Sequence, residues 1–343
     1  MEKIYFYPQL DYTNLSSPNP YIVDFQRALS SHYTIANKKS NQIGVLDFFK
    51  YLFKADIYIF NWIEDLPIYK YGKIQILFFL FFLIIAKLIN KKIIWVLHNK
   101  YSHFSSKNSW TDFMYSILMK YSDLIVTHSR EGISFTREKY PAYVNKVKYI
   151  NHPIRELLVK TPRKEKEYDF LIWGNIQPYK GIREFLKFLK TNHINSVKIL
   201  IVGKCIDNHY KKDITSLLSN NVTFKDGFFS LDEIAKMACH CEFILFVHNA
   251  ISVLSSGALI DSIRMGVQII GPHRGAFKDL STLSFINTYK DYEDILLLHK
   301  KHGGEHAAIN AKEHLDFFKK NTWETFGNRM HLEIDKMNGS DKR

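Results

Sequence analysis

Short apolar runs alternate with longer helical stretches along this chain, and no other feature limits the fold as strongly. Runs such as Ala55–Phe60 and Ile93–Leu97 are rich in Ile, Val, Tyr and Phe, as buried β-strands are. The apolar stretch Ile74–Ile89 between them has the length of a helix. Strands that are separated by helices pair in parallel through crossover connections. The pattern therefore predicts a doubly wound parallel sheet.

The same pattern restarts after a charged connection. Phe170–Trp173, Val197–Val202 and Cys241–Val247 are predicted strands, and Ala258–Met265 is a predicted helix. We therefore predict an α/β protein of two Rossmann-like doubly wound domains that face an interdomain cleft. The expected parts are an N-terminal domain (1–154), a linker (155–168), a C-terminal domain (169–305) and a helical tail (306–343).

Composition excludes several classes of protein. The 343 residues are 46% hydrophobic and 24% charged, which rules out wholesale disorder and coiled coil. Only three cysteines are present, and we expect them to be reduced core residues. The chain opens without a secretory signal, and its longest unbroken apolar run, Ile76–Ala86, is about half of what a bilayer span needs. We expect a cytoplasmic protein, peripheral to the membrane at most.

The chain is basic, with 47 Lys and Arg against 34 Asp and Glu and a net charge of +13. A basic surface attracts nucleic acid, anionic lipid or diphosphate substrates, although solvated lysines without a partner would give the same number. Nucleic-acid binding is the weakest of these interpretations, because the basic residues are scattered and no reader motif is present. We expect no nucleic-acid partner.

Ligands of open α/β sheets bind at the carboxyl ends of the strands, so residues directly after strands are the first candidates for a site. His98 and Asn99 follow Ile93–Leu97, and His98 could hydrogen-bond a sugar or accept a proton; a loop histidine without a task fits equally well. Lys180 follows another strand and precedes a helix, where its ammonium could reach an anion. A solvated lysine is the alternative.

A third group opens the predicted helix Ala258–Met265. Ser255, Ser256 and Gly257 precede that helix, and its free amide groups could cradle a diphosphate. Asp261 lies one turn further along, where a carboxylate suits a ribose diol. An ordinary capped helix with an exposed aspartate is the alternative.

These motifs, taken in order, resemble a known family. The segments Gly174–Gly181 and Ser255–Ile270 resemble the donor half of GT-B glycosyltransferases, closest to glycosyltransferase family 4 and the bacterial polysaccharide enzymes around it. Three further segments resemble the acceptor-side motifs of that group: Asn19–Tyr21, Asn61-Trp62, and Trp95–Asn99 with His103. Asn151–Pro153 resembles the stretch that leads into the linker. The series covers nearly the whole chain and includes Trp323 in the tail.

The resemblance implies a role for each matching residue. Lys180 would bind the donor diphosphate, His98 would contact the transferred sugar or the reacting centre, and Phe228 would lie near the nucleobase. The residues implied in donor binding are Asn175, Lys180, Phe228, Ser255, Ser256, Gly257 and Asp261, and those implied in acceptor binding are Trp62, Asn99 and His103.

The sequence also departs from the family pattern. The family's two glutamates would fall on Val253 and Asp261, so the first is lost and the second is shortened. Asn175 stands where an arginine is common, and Asn61 stands where a histidine is common. These departures concern the donor sugar and the stereochemistry, and they leave the phosphate site in place.

The resemblance implies a hexosyltransferase that retains the sugar's configuration. It would move a sugar from a UDP- or GDP-linked donor to a lipid-linked or oligosaccharide acceptor in bacterial surface polysaccharide synthesis. We expect no cofactor and no metal, because no Asp-x-Asp motif is present. A GT-B protein that binds nucleotide or glycan without catalysis, and a non-hydrolysing sugar-nucleotide epimerase, are the alternatives. Ile76–Ala86 is read as a buried crossover helix or as a membrane dock.

Overall fold

The structure is a computed structural model that describes residues 1–9, 20–38, 44–101, 109–158, 165–248, 254–304 and 309–340. The chain divides into two compact units. Unit 1 comprises Met1–Pro153, Ser252–Leu254 and Asn321–Arg343, and unit 2 comprises Ile154–Ile251 and Ser255–Lys320. The expected tail is therefore shared between the units, and the expected linker belongs to unit 2.

Unit 1 is built on a parallel sheet of six strands in the order β2-β1-β3-β4-β5-β6. The strands are β1 (Lys3–Tyr7), β2 (Thr34–Ile35), β3 (Ile57–Asn61), β4 (Lys92–Leu97), β5 (Leu124–Thr127) and β6 (Val147–Tyr149). The helices are α1 (Pro20–Leu29), α2 (Leu46–Lys50), α3 (Gly72–Leu88), α4 (Ser109–Tyr121), α5 (Arg130–Lys139) and, from the C-terminal end of the chain, α13 (Trp323–Ser340). The strand order reverses between β1 and β3.

Unit 2 has a second six-stranded parallel sheet, in the order β12-β11-β10-β7-β8-β9. Its strands are β7 (Tyr168–Trp173), β8 (Ile199–Gly203), β9 (Val222–Asp226), β10 (Cys241–Leu245), β11 (Gln268–Pro272) and β12 (Ile286–Tyr289). Its helices are α6 (Ile182–Thr191), α7 (Asn208–Thr215), α8 (Leu231–Ala238), α9 (Gly257–Ile263), α10 (Gly275–Leu280), α11 (Tyr292–His302) and α12 (Ala311–Lys320). This is the Rossmann order, and it reverses between β7 and β10.

Apolar side chains fill both faces of the unit 1 sheet. On one face, α3 and α4 bury large residues such as Phe79 and Phe82 against Trp95 of β4. On the other face, the ring of Phe25 in α1 packs edge-on against that of Phe326 in α13, with their centroids 4.9 Å apart. Helix α13 therefore completes the core of unit 1, although it comes from the far end of the chain.

The predicted α/β architecture of two doubly wound sheets is confirmed, with differences in detail. Strands β9 and β12 were not predicted, because they lie at the edges of their sheet and keep polar residues on partly exposed faces. Helix α9 begins at Gly257 and ends at Ile263, whereas the prediction was Ala258–Met265. The three cysteines are free and buried, as predicted. Among the described residues, no helix combines the length and apolarity that a bilayer crossing requires.

Candidate functional site

Lys180 lies at the carboxyl end of β7, beside the point where the unit 2 strand order reverses. A short 3₁₀ helix, Pro178–Lys180, turns the side chain back over the strand end, and Nζ donates a hydrogen bond to the carbonyl of Trp173 at 3.2 Å. Gly174 makes this position accessible: a Cβ there would lie 2.7 Å from Nζ, and its φ of 102° disfavours other residues.

The Lys180 ammonium is buried without an opposite charge. The residue is 7% exposed, and among the described residues no carboxylate forms an ion pair with it. Burial lowers the pKa of Lys180 from 10.5 to about 8, so the group is still mainly protonated at neutral pH. Because a buried, unpaired charge is costly, this arrangement is typical of a site that an anion completes.

Trp173 joins the Lys180 turn to α9. Its carbonyl accepts from Lys180, and its indole Nε1 donates to the hydroxyl of Ser262 in α9 at 2.9 Å. Strands β7 and β10 are neighbours in the sheet, and α9 follows β10 along the chain. Lys180 and α9 therefore share the same edge of the unit 2 sheet, where open α/β sheets bind ligands.

The start of α9 holds the predicted serines and Gly257. Ser256 is the N-cap, and its hydroxyl accepts from the amide of Leu259 at 3.3 Å. The Ser255 hydroxyl is buried and has no hydrogen-bond partner among the described residues. A Cβ added at Gly257 would meet no atom of the described residues within 4 Å.

Two aromatic rings lie beside Lys180, and neither was predicted. Tyr179 precedes the lysine, and its ring stacks on that of His248 with centroids 6.1 Å apart and planes 4° from parallel. His248 follows β10 and also stacks on Phe246. His248 is buried between its two ring neighbours, whereas Tyr179 is 37% exposed and so adds a partly accessible aromatic ring to this edge of the sheet.

The remaining predicted donor residues are either engaged in other contacts or exposed to solvent. Asp261 forms an ion pair with Arg264 at 2.8 Å, and Arg264 also donates to the carbonyl of Glu156, so this carboxylate is already engaged. Phe228 follows the edge strand β9 and is 82% exposed. Asn175 is exposed and follows Gly174 directly. The structure groups Lys180 with α9, and it places Phe228 two strands away from β7.

In unit 1, the described candidates gather at the carboxyl ends of β3 and β4. The rings of His98 and Trp62 stack with centroids 4.3 Å apart, and His98 Nε2 lies 3.1 Å from Asn61 Oδ1. The Asn61 amide donates to the carbonyl of Tyr7, which fixes Oδ1 toward the histidine. His98 Nε2 therefore carries the proton, and Nδ1 keeps the lone pair.

Two further histidines surround Tyr21 at this edge. The Tyr21 hydroxyl donates to His128 Nε2 at 2.7 Å, because His128 Nδ1 donates to the carbonyl of Ile150. His152 Nδ1 donates to the carbonyl of Pro153 at 2.8 Å. Burial, reinforced by the neighbouring histidines, lowers the pKa of His98 far below its usual range. Burial is also the main cause that lowers the pKa of His128 to about 3 and the pKa of His152 to about 4. All three are neutral at physiological pH.

Comparison of the sequence with protein-family models and with curated proteins gives no match. Comparison of the structure with solved structures gives many. HepE from Anabaena, solved in complex with UDP-glucose, aligns over 98% of this chain and 100% of its own with a TM-score of 0.71 and 13% identity. The chain has the GT-B fold.

Two other GT-B structures agree. The lipopolysaccharide outer core galactosyltransferase WaaB matches with a TM-score of 0.65 and 10% identity, over 98% of this chain and 99% of its own. A glycosyltransferase from Rickettsia africae matches with a TM-score of 0.62 and 14% identity, over 97% of each chain. The resemblance to GT-B proteins is thus confirmed for the fold, and membership of family 4 stays a prediction.

Of the other GT-B acceptor-side predictions, Asn99 is buried, and its carbonyl accepts from the Tyr115 hydroxyl at 2.8 Å. His103 lies outside the described residues. His128 and His248 were missed, although His128 directly follows β5 and His248 directly follows the predicted strand Cys241–Val247. A position directly after a strand is the same signal that pointed to His98.

Among the residues that the structure describes, one group has the spacing of a metal site. The ligand atoms of Asp169, Glu242 and His299 lie within 4.8 Å of one another. His299 Nε2 lies 3.1 Å from an oxygen of each carboxylate, and its hydrogen bond to Asp169 is the main cause that raises the pKa of His299. These carboxylates lie at the amino ends of β7 and β10, at the edge opposite Lys180.

Proposed function

We propose that this protein is a glycosyltransferase that takes a hexose from a nucleoside diphosphate sugar. The observation that carries the proposal is the buried Lys180, whose charge has no carboxylate partner among the described residues and lies at the edge where a GT-B sheet would receive its ligand. A diphosphate supplies the missing negative charge. HepE was solved in complex with UDP and with UDP-glucose, and WaaB is a galactosyltransferase, which supports a UDP-hexose as the donor.

The difficult step is departure of the nucleoside diphosphate, which leaves negative charge on its β-phosphate. Lys180 would neutralise that charge from a fixed position, and the Ser255 hydroxyl and the amides at Gly257 would donate to the phosphate oxygens. Preorganised donors of this kind each contribute about 3–4 kcal/mol to transition-state stabilisation. The lysine would thereby do what a metal does in metal-dependent transferases, and we propose a metal-independent reaction.

His98 is proposed to contact the transferred sugar or the reacting hydroxyl. Its Nδ1 lone pair accepts a hydrogen bond, and the low pKa of the imidazole keeps it neutral. Trp62, stacked on His98, offers an aromatic face for an acceptor sugar. Asn99 and His103 are kept as acceptor residues, and Asn175, Ser256, Asp261 and Phe228 are kept as donor residues, on the resemblance alone.

The acceptor is proposed to be a lipid-linked glycan or an oligosaccharide, used in bacterial surface polysaccharide synthesis at the inner face of the cytoplasmic membrane. Transfer would retain the configuration of the sugar. The net charge of +13 favours an acceptor that is held at an anionic surface. The anomeric configuration of the product, read by NMR, tests the stereochemistry separately.

A protein that binds nucleotide without catalysis is the second candidate. The ion pair between Asp261 and Arg264 favours it, because the carboxylate that would bind ribose is engaged within its own helix. Such a protein would bind donors and neither transfer nor hydrolyse them.

Thermal unfolding with UDP- and GDP-linked hexoses tests the donor site, and release of free nucleotide tests turnover. A donor at about 100 times its dissociation constant should stabilise the protein by about 2.7 kcal/mol. Lys180→Ala should lose that stabilisation and cut transfer by about two orders of magnitude. Lys187→Ala, an exposed lysine of α6, is the control and should behave as wild type. Wild-type transfer by Lys180→Ala would refute the assignment.

A further inference from the structure

Helix α3 is apolar on the side that faces away from the core. Its inner face, including Phe79 and Phe82, is fully buried in unit 1. Its outward residues are also apolar and are 40% to 77% exposed: Ile74, Leu77, Phe78, Phe81, Ile84 and Leu88. A 17-residue helix is about 25 Å long, so this outer face is a continuous apolar stripe of a size that soluble proteins rarely leave uncovered.

Exposed lysines border the outer face. Phe49 of α2 packs against Phe81, with ring centroids 6.0 Å apart, and the exposed Lys50 and Lys54 follow Phe49 within five residues. Lys70 and Lys73 lie at the amino end of α3. Among the described residues, none of these four lysines forms an ion pair.

No carboxylate of this segment offsets those charges. Between residues 44 and 92, Asp47, Glu64 and Asp65 are buried beneath the surface, and Asp56 forms an ion pair with Lys91 at 3.7 Å. Lys87, near the carboxyl end of α3, is likewise paired with Asp123. The outer face of α3 is therefore apolar in the middle and cationic along its border.

We infer that the outer face of α3 docks on an anionic lipid bilayer, with the helix lying in the plane of the interface. Apolar side chains would enter the acyl boundary while the lysines contact anionic headgroups, which is how interfacial helices bind. Tyr69 and Tyr71, both exposed before α3, are of the residue type that membranes hold at headgroup level. A second copy of the chain fits less well, because a two-fold contact would bring the same unpaired lysines together.

This docking does not depend on the proposed reaction, so it is tested without any sugar donor or acceptor. The intact protein is floated on a density gradient with vesicles of phosphatidylcholine alone, and with vesicles of phosphatidylcholine and phosphatidylglycerol in equal amounts. It should float with the mixed vesicles and much less with the neutral ones. Each lysine near the surface strengthens binding about fivefold, so high salt should weaken flotation strongly.

Two variants separate the apolar contribution to membrane binding from the electrostatic one. The triple change Leu77→Gln, Phe78→Gln and Leu88→Gln should reduce affinity for mixed vesicles at least tenfold, because it removes apolar area that is exposed in the free protein. The second variant changes all four bordering lysines to Gln, and it should remove the preference for anionic lipid. The control, Leu297→Gln with Leu332→Gln, alters equally exposed leucines elsewhere and should float as wild type.

Failure of the wild-type protein to float with mixed vesicles overturns the proposal. Undiminished flotation of the triple-glutamine variant does so as well, since another surface would then be responsible. Light scattering adds a third outcome: a wild-type dimer that the triple change converts to monomer would assign the face to a second copy instead. Circular dichroism of each variant confirms its fold, and the four-lysine variant keeps the test valid should the apolar one unfold.

Discussion

At the scale of single residues, the candidate sites combine a buried charge with buried neutral histidines. Lys180 remains cationic although burial lowers its pKa, whereas His98, His128 and His152 are neutral because burial lowers theirs much further below physiological pH. The buried lysine charge suits the binding of an anion, and the neutral histidines suit hydrogen bonding to hydroxyl groups. Both arrangements are costly to the folded protein, as functional sites often are.

Replacing Lys180 by methionine should stabilise the protein while abolishing donor binding. The folded-state pKa of about 8 lies below the usual 10.5, so the unfolded state binds more protons between these values and wild-type stability rises with pH through that window. The variant's advantage should be about 3 kcal/mol at neutral pH and should vanish toward pH 10.5. Denaturant unfolding at several pH values measures this, with Lys187→Met as the unaffected control.

Donor affinity should depend on pH through the same group. As the pH rises above about 8, the free protein loses the Lys180 proton, and affinity for a nucleoside diphosphate should fall by about tenfold per pH unit. Calorimetric titration with UDP across this range measures the effect. Affinity that stays constant up to pH 10 would contradict a role for the lysine charge.

His98→Ala should slow transfer without affecting the donor. Loss of a positioned hydrogen-bonding imidazole costs about 100-fold in turnover, whereas UDP should stabilise the variant as it stabilises the wild type. Transfer assays paired with thermal unfolding measure both quantities, and the exposed His209→Ala is the control. Parallel loss of transfer and UDP stabilisation would indicate a structural role instead.

At the scale of elements, strand ends and the tight turns after them build the unit 2 site. Gly203 ends β8 with a φ of 147°, and a Cβ there would lie 1.9 Å from the carbonyl oxygen of Gly174. The turn that carries Lys180 is thus held against its neighbour by close backbone contact. Its geometry depends on two adjacent strands and not on the lysine alone.

Gly203→Ala should therefore destabilise the protein by more than about 3 kcal/mol, the usual upper range for single substitutions. The new methyl group meets backbone and cannot be relieved by a rotamer change. Gly257→Ala is the matched control, since its new methyl group meets no atom within 4 Å in the part of the chain that the structure describes, and it should leave the melting temperature nearly unchanged. Equal melting temperatures for both variants would contradict this account of the turn.

Central elements could be predicted from the sequence, and long-range contacts could not. Strands β4 and β8 are apolar apart from a lysine or a glycine at one end, because both faces of the sheet are covered. Lys180 and His98 were found because each follows a buried strand. The edge strand β9 was missed because only Val222 of its five residues is buried. The stacking of Tyr179 on His248 depends on how elements pack, which no local pattern records. The ion pair of Asp261 with Arg264 has local i, i+3 spacing and was missed although the sequence shows it.

At the scale of the whole molecule, each unit has its own sheet and core, and the chain returns to unit 1 at its end. Phe326, Met330 and Ile334 of α13 are at most 2% exposed and pack beside α1. Unit 1 is therefore complete only when the last residues of the chain are present, whereas unit 2 is built from one nearly continuous stretch.

Deleting residues 321–343 should destabilise unit 1 selectively. Three buried apolar side chains are lost, each contributing about 1.5–3 kcal/mol, and the α1 face they cover becomes exposed. Limited proteolysis should then cut within residues 1–153 much faster than within 165–320. Equal protection of both stretches would contradict this role of α13.

The close approach of the Lys180 ammonium to Gly174 means that substitutions at these two positions should be correlated in evolution. A lineage that replaced the glycine would have to swing the cation away from its carbonyl, and one that discarded the cation would no longer be constrained to keep the glycine. Homologues should therefore keep both the glycine and the lysine or replace both. The presence of the pair then distinguishes homologues that keep this site from those that have lost it.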